Sequence, residues 1–305
     1  MPDASIIANI IDPSGAVIQP LPFPEATQHN IAVDILRLDL IHPVISGNKY
    51  FKLKYPVLRA LESACMGVVS FGGAYSNHLV ALAAMCRETG LKSAGLIRGE
   101  ATQKLSPTLE EAKFYGMQLQ YLSREEYKDS KSNTVITNGQ FSDYLVIPEG
   151  GSSSEGVRGA SEITQLGDWN KYTHIVSAIG TGTMFAGILQ AIDPQQKALG
   201  ISALKLPAEN DVEAFIRRSV PGRLFEINYD YHFGGFAKKT PELFNFMNQI
   251  WHQFQLPTDF VYNAKMLYAV RDLLTKKYFD THSRILIIHS GGLQGNRSIK
   301  DFLDF

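Results

Sequence analysis

At 305 residues the chain is about twice the ~150 residues of a typical domain, which predicts two domains. It is 45% hydrophobic and 19% charged, and 29 Lys and Arg against 30 Asp and Glu leave a formal charge of −1. That balance excludes a disordered chain and offers no basic surface for a nucleic-acid backbone or an anionic membrane. Two cysteines, Cys65 and Cys86, exclude a disulfide scaffold and make a thiolate zinc site implausible. The N-terminus has no basic n-region, and the longest clearly apolar stretch, 79–86, is far below the ~20 residues that span a bilayer. A soluble, cytoplasmic protein is expected.

The segment before residue 45 carries five prolines within 13–43 and reads as irregular except for a strand at 32–40. From about residue 57, short apolar runs alternate with longer amphipathic segments, which predicts an α/β fold with a mainly parallel sheet. Strands are expected at 67–71, 92–97, 118–122, 144–147, 174–178, 197–203, 224–227 and 284–289. Helices are expected at 56–64, 77–89, 107–115, 154–166, 184–191, 207–219, 240–254 and 262–278, where apolar residues recur at three- and four-residue spacing, as at Val57, Leu58, Leu61 and Ala64. The Gly/Ser-rich run 149–156 reads as either a domain crossing or a binding loop.

Four segments could carry chemistry. Ser46-Gly-Asn-Lys-Tyr-Phe-Lys52 sets Lys49 at a helix entry with Lys52 three residues on. It reads as a solvated turn or as an amine held near an anion, and a lysine amine whose pKa is lowered condenses with carbonyls. In Ser70–His78 a strand runs through two glycines into a helix, which suits an anion pocket or a plain turn with Ser76 or Asn77 as N-cap. Gly180-Thr-Gly-Thr183 places hydroxyl and N–H donors at a helix start, as a phosphate cradle requires. It is not a P-loop, and Phe185 breaks the dinucleotide fingerprint. Finally, His289-Ser-Gly-Gly292 ends an apolar strand, and open α/β sheets bind ligands beyond the carboxyl ends of their strands.

Taken together the chain resembles the pyridoxal-phosphate enzymes of the tryptophan-synthase-β fold type, and within them the 1-aminocyclopropane-1-carboxylate deaminase and D-cysteine desulfhydrase family. Six ordered motifs carry the resemblance: GNKxxKL at 47–53, GGxxSNH at 72–78, IPxGGS at 147–152, TGTxxAG at 181–187, DxVY at 259–262 and HSGG at 289–292. It implies fold type II: two open, twisted, mainly parallel sheets flanked by helices, with the cofactor in the interdomain cleft. A smaller domain at 53–153 is then inserted into a larger one of 1–52 and 154–305, and homodimers are usual. By the same resemblance Lys49 holds pyridoxal phosphate as a Schiff base, Asn77 contacts the ring's 3′ oxygen, and Gly180, Thr181, Gly182 and Thr183 hold the phosphate, with Lys52 in reach. Ser76 and the N–H groups of Asn77 and His78 take the substrate carboxylate, and Ser76 and Tyr262 are acid–base or positioning groups.

Departures bear on the substrate. The cyclopropane-cleaving enzymes pair the pyridine nitrogen with a glutamate where this chain has Asn263, and an ungapped match puts Phe233 where they have a second tyrosine. Phe260, Phe51 and the Leu79-Val80 pair also differ from the family pattern. Ser290 is left as a partner for the ring nitrogen. The expected reaction is therefore Cα deprotonation and β-elimination on a small amino acid, D-cysteine desulfhydrase-like, giving pyruvate, ammonia and sulfide. The alternatives are 1-aminocyclopropane-1-carboxylate deamination, a cofactor-holding protein with little catalysis, and a nucleotide-binding enzyme.

Overall fold

The computed structural model describes residues 11–63, 65–101, 103–130, 140–207 and 209–305. The N-terminal ten residues, Ala64 of the first expected helix and position 208 of the sixth lie outside them. In chain order the elements are β1 (Val17–Pro20), α1 (Pro24–Thr27), β2 (Ala32–Arg37), α2 (Asn48–Glu62), β3 (Gly67–Gly72), α3 (Asn77–Thr89), β4 (Lys92–Arg98), α4 (Pro107–Phe114), β5 (Gln118–Leu122), α5 (Arg124–Ser130) and β6 (Tyr144–Ile147). There follow α6 (Ser154–Ser161), β7 (His174–Ile179), α7 (Thr183–Ala191), β8 (Lys197–Ser202), α8 (Asp211–Ser219), β9 (Glu226–Asn228), α9 (Pro241–Phe254), α10 (Asn263–Thr275) and β10 (Arg284–His289).

The strands form two sheets, one of six in the order β1-β2-β10-β7-β8-β9 and one of four in the order β5-β4-β3-β6. Every pairing is parallel except β1 with β2. Parallel strands covered by helices on both faces must be apolar along their whole length. Accordingly β3 and β7 are buried at every position, and β10 at all but its first. The carboxyl ends of β3, β7 and β10 lead directly into the segments 73–78, 180–183 and 290–292, which gathers three of the candidate motifs. One apolar core runs from Val68 and Ile97 beside the smaller sheet through Leu53 and Val57 of α2 to Ile175 and Leu286 of the larger.

Several elements differ from the sequence expectation. Helix α2 begins at Asn48, eight residues before the expected 56, and passes through Pro56. Proline removes one intrahelical bond, to the Lys52 carbonyl, but the burial of residues 48–53 carries the helix through. Strand β2 stops at Arg37 because Leu38–Leu40 tighten into a 3-10 turn. The expected helix at 154–166 ends at Ser161 and continues as a 3-10 turn, Glu162–Gln165. The expected helix at 207–219 starts at Asp211, where the Asn210 side chain caps it, and β9 lies two residues later than 224. Among the described residues no helix is long and apolar enough to cross a membrane.

Candidate active site

The amine is positioned by a glycine. Gly47 enters α2 at φ 64°, and a Cβ on it would stand 2.0 Å from the Ser290 carbonyl oxygen, so no other residue allows the approach. The Asn48 N–H donates to that oxygen at 3.2 Å, which fastens the start of α2 to the loop after β10. Lys49 and Lys52 follow on one face, a helical turn apart. Both are buried, and neither makes an ion pair among the described residues. Burial lowers the Lys49 pKa, with Asp259 acting in the opposite sense. Burial and the neighbouring Lys49 charge bring Lys52 down to about 7.

Tyr262 lies beside them, its ring centroid 6.0 Å from Lys49 Nζ. Burial, then the carboxylates of Asp259 and Glu149, push its pKa upward, so the phenol stays protonated. Gly180 makes room for this ring, since a Cβ there would meet Tyr262 Cε1 at 2.9 Å. Helix α7 then starts at Thr183 after Gly182, which takes φ 81° and has no side chain to occupy the first N–H groups. The Thr181 and Thr183 hydroxyls are 3.0 Å apart beside that helix end.

Ser76 is the N-cap of α3, accepting from the Leu79 N–H at 3.4 Å. The Asn77 amide donates to the Gly292 carbonyl at 3.2 Å, while its Oδ1 is buried without a partner. His78 exchanges a hydrogen bond with Ser70 at 2.9 Å, and its Nδ1 is likewise buried and unpartnered. Burial and the two lysine charges lower His78 to about 3, so the imidazole is neutral. The run after β6 turns at Gly150 and Gly151, both at positive φ, and seats against Thr181 and Lys52. A cavity of about 350 Å³ opens between Phe71 and Val146 on one side and Thr181 and Val212 on the other.

Asn263 is fully buried at the head of α10. Its amide donates to Asp259 and to the Gly291 carbonyl, and its Oδ1 accepts the Ser290 N–H at 2.9 Å and the Ser290 hydroxyl at 3.3 Å. Every polar atom of the side chain is thus engaged within the protein. Asp259 in turn accepts the backbone N–H groups of Val261, Tyr262 and Asn263. This anchoring was missed in the sequence, where the available signal was an acid just ahead of a helix start.

The six motifs therefore meet through direct contacts, and the residues present fit a phosphorylated pyridine aldehyde. Two buried lysine amines lack an ion-pair partner, a helix start and two hydroxyls form a cradle, and two buried polar atoms, Asn77 Oδ1 and His78 Nδ1, are unpartnered. Among the described residues no group of His, Cys, Asp or Glu could hold a metal ion.

No protein-family model matches the chain. A Pyrococcus abyssi protein provisionally named 1-aminocyclopropane-1-carboxylate deaminase is 28% identical over 90% of this chain and 89% of its own. The mitochondrial bifunctional D-cysteine desulfhydrase/1-aminocyclopropane-1-carboxylate deaminase of Arabidopsis thaliana is 27% identical over 86% of this chain and 72% of its own. The chain is similar to both over most of its length. The resemblance carried by the six motifs is thus a whole-chain one. The fold agrees: the crystal structure of a 1-aminocyclopropane-1-carboxylate deaminase homologue superposes with a TM-score of 0.81 at 23% identity, covering 99% of this chain and 98% of its own. A pyridoxal 5′-phosphate-dependent aspartate racemase superposes with a TM-score of 0.69 at 14% identity, covering 94% of this chain and 92% of its own. The two-sheet architecture is that of fold type II.

Proposed function

We propose that the chain is a pyridoxal-phosphate-dependent lyase that removes the Cα proton of a small amino acid and expels its β-substituent, with D-cysteine giving pyruvate, ammonia and sulfide. The observation that carries this reading is Lys49, a buried amine with no ion-pair partner among the described residues, set in a cluster that calls for a phosphate. In this reading Thr181, Thr183 and the N–H groups from Gly180 to Thr183 hold the phosphate, with Lys52 supplying charge. Asn77, held at the head of α3 by its bond to Gly292, would contact the ring's 3′ oxygen through its amide. When bound, the cofactor supplies a carbonyl for the substrate amine and a ring that delocalises the electrons left at Cα.

The chain's own groups do the rest. Lys49, its pKa lowered by burial, takes up and returns a proton. Tyr262, held protonated, serves as a donor and as a wall over the amine. Ser76 and the first N–H groups of α3 take a carboxylate at a helix start. Asn263 is neutral and acts by presenting Ser290, the hydroxyl left to meet the ring nitrogen.

With its proton turned from Asn263 Oδ1 to the ring, the Ser290 hydroxyl leaves the nitrogen unprotonated, a weaker electron sink that suffices for a good leaving group such as sulfide. Opening a cyclopropane ring asks more of it. The names of the relatives favour the deaminase as a second reading, whereas Asn263 and Phe233, which stacks edge-on against Tyr268 at 4.9 Å, favour elimination. The same proposal takes 53–153 as a smaller domain inserted into 1–52 and 154–305, and the active form as a cytoplasmic homodimer.

Incubation with D-cysteine, L-cysteine, β-chloro-D-alanine and 1-aminocyclopropane-1-carboxylate, with pyruvate and 2-oxobutyrate as readouts, tests the substrate; turnover of the cyclopropane alone would reject elimination. Lys49→Ala is expected to abolish both the visible chromophore and borohydride-trapped cofactor, and survival of the two would remove the assignment of the amine.

A further inference from the structure

Lys265 lies in the first turn of α10 and is fully buried. A cation there opposes the helix dipole and forfeits its hydration, so the surroundings must replace what water supplied. Its Nζ donates to three backbone carbonyls, those of Gly235 at 2.8 Å, His232 at 2.9 Å and Ala203 at 3.3 Å. Three donors thus meet three acceptors from two separate segments, one just after β8 and one in the connection between β9 and α9.

The second segment cannot hold its shape unaided. Phe233, Gly234, Gly235 and Ala237 all take positive φ, at 51°, 88°, 120° and 53°, and two of them are not glycine. Such backbone persists only where its surroundings over-determine it. Phe236 of this loop leans on the Tyr262 ring at 6.2 Å between centroids, and Tyr262 stands over Lys49.

We propose that Lys265 is a positioning residue whose ammonium group acts as an internal cation, drawing the carbonyls of residues 203, 232 and 235 into one cage and so fixing the 232–236 loop that backs Tyr262. The inference rests on the reading above only in taking Tyr262 as a wall of the site. Burial brings Lys265 down to about 8, against the pull of Asp259, and it remains a cation at pH 7.

The test compares holoenzyme carrying Lys265→Ala with Lys265→Met. The alanine variant opens space for a small cation, and methionine fills it without charge. Both are expected to melt lower and to raise KM at least about tenfold, the consequence of ~1.4 kcal/mol. Methylammonium chloride should restore melting temperature and KM to the alanine variant alone, and choline chloride at matched ionic strength to neither. Equal responses to the two salts, or a methionine variant with native KM, would overturn the proposal. Should neither variant fold, the native protein decides: ¹⁵N-lysine labelling should reveal one slowly exchanging ammonium group with Overhauser contacts to residues 203, 232 and 235. A rapidly exchanging group at Lys265 would reject it. Melting and exchange do not depend on the substrate, so an error in the proposed reaction leaves these readouts untouched.

Discussion

Lys52 is a buried amine with no ion-pair partner among the described residues. Burial and the neighbouring Lys49 charge both disfavour its proton and push its pKa from the ordinary 10.5 down to about 7 in the folded chain. Between those values the unfolded chain holds more protons, so stability rises with pH across the window; the penalty is complete below about 7 and fades toward 10.5. Lys52→Met should therefore melt higher than the parent at pH 7 without cofactor, by at least about 2 °C, the shift that ~1 kcal/mol produces in a long chain. The advantage should shrink as pH rises and reverse once pyridoxal phosphate is added. A variant less stable than the parent at pH 7 without cofactor would show that Lys52 is already neutralised. Lys49, Lys52, Ser76 and Asn77 could all be read from the sequence, because a glycine and a helix start beside a polar residue leave a local signature. The hydrogen bonds of Asn263 and the part played by Lys265 could not, since they depend on Gly291, Ser290, Ala203 and Gly235, which only the fold brings together.

Helices α2, α6 and α7 pack through small residues, and this brings the two lysines near the start of α7, the phosphate cradle of the proposed reading. A Cβ on Gly159 would stand 1.8 Å from the Phe51 carbonyl oxygen, and one on Gly187 2.6 Å from that of Val157. Replacing glycine by alanine inside a helix ordinarily stabilises by ~0.5–1 kcal/mol. Here the overlap is with backbone, which no rotamer change relieves, so the sign reverses. Gly159→Ala should cost ~1–3 kcal/mol in urea denaturation and weaken pyridoxal-phosphate binding by displacing α2. Unchanged denaturation and cofactor affinity would show that the contact is relieved at no cost. The strands were legible because buried parallel strands have continuous apolar runs, as at 284–289. The start of α2 was expected eight residues late, at Pro56, because proline favours a helix's first turn, whereas tertiary burial carries the helix from Asn48. Strand β1 was missed for a related reason: it ends in Pro20 on a sheet edge, half exposed, with neither alternation nor length to mark it.

At the scale of the molecule, the two sheets share one apolar core that passes through α2. Units that share a core unfold together, so calorimetry of the cofactor-free protein should show a single transition; two resolved transitions would mean that the smaller sheet melts alone. Two parallel sheets around one cleft were legible as a class from alternating strand and helix patterns and from motif order. The continuity of the core was not, because it depends on a helix whose first half did not read as one. That helix has a mechanical consequence. Fifteen residues make a rod about 22 Å long, seated at the Gly47 end on the loop after β10 and reaching the smaller sheet at the other. A swing of that sheet about the seated end displaces the far end most and the amine of Lys49 least. In the proposed reading the fulcrum lies at the reactive amine, so a cleft that opened for substrate would leave that nitrogen's aim unchanged.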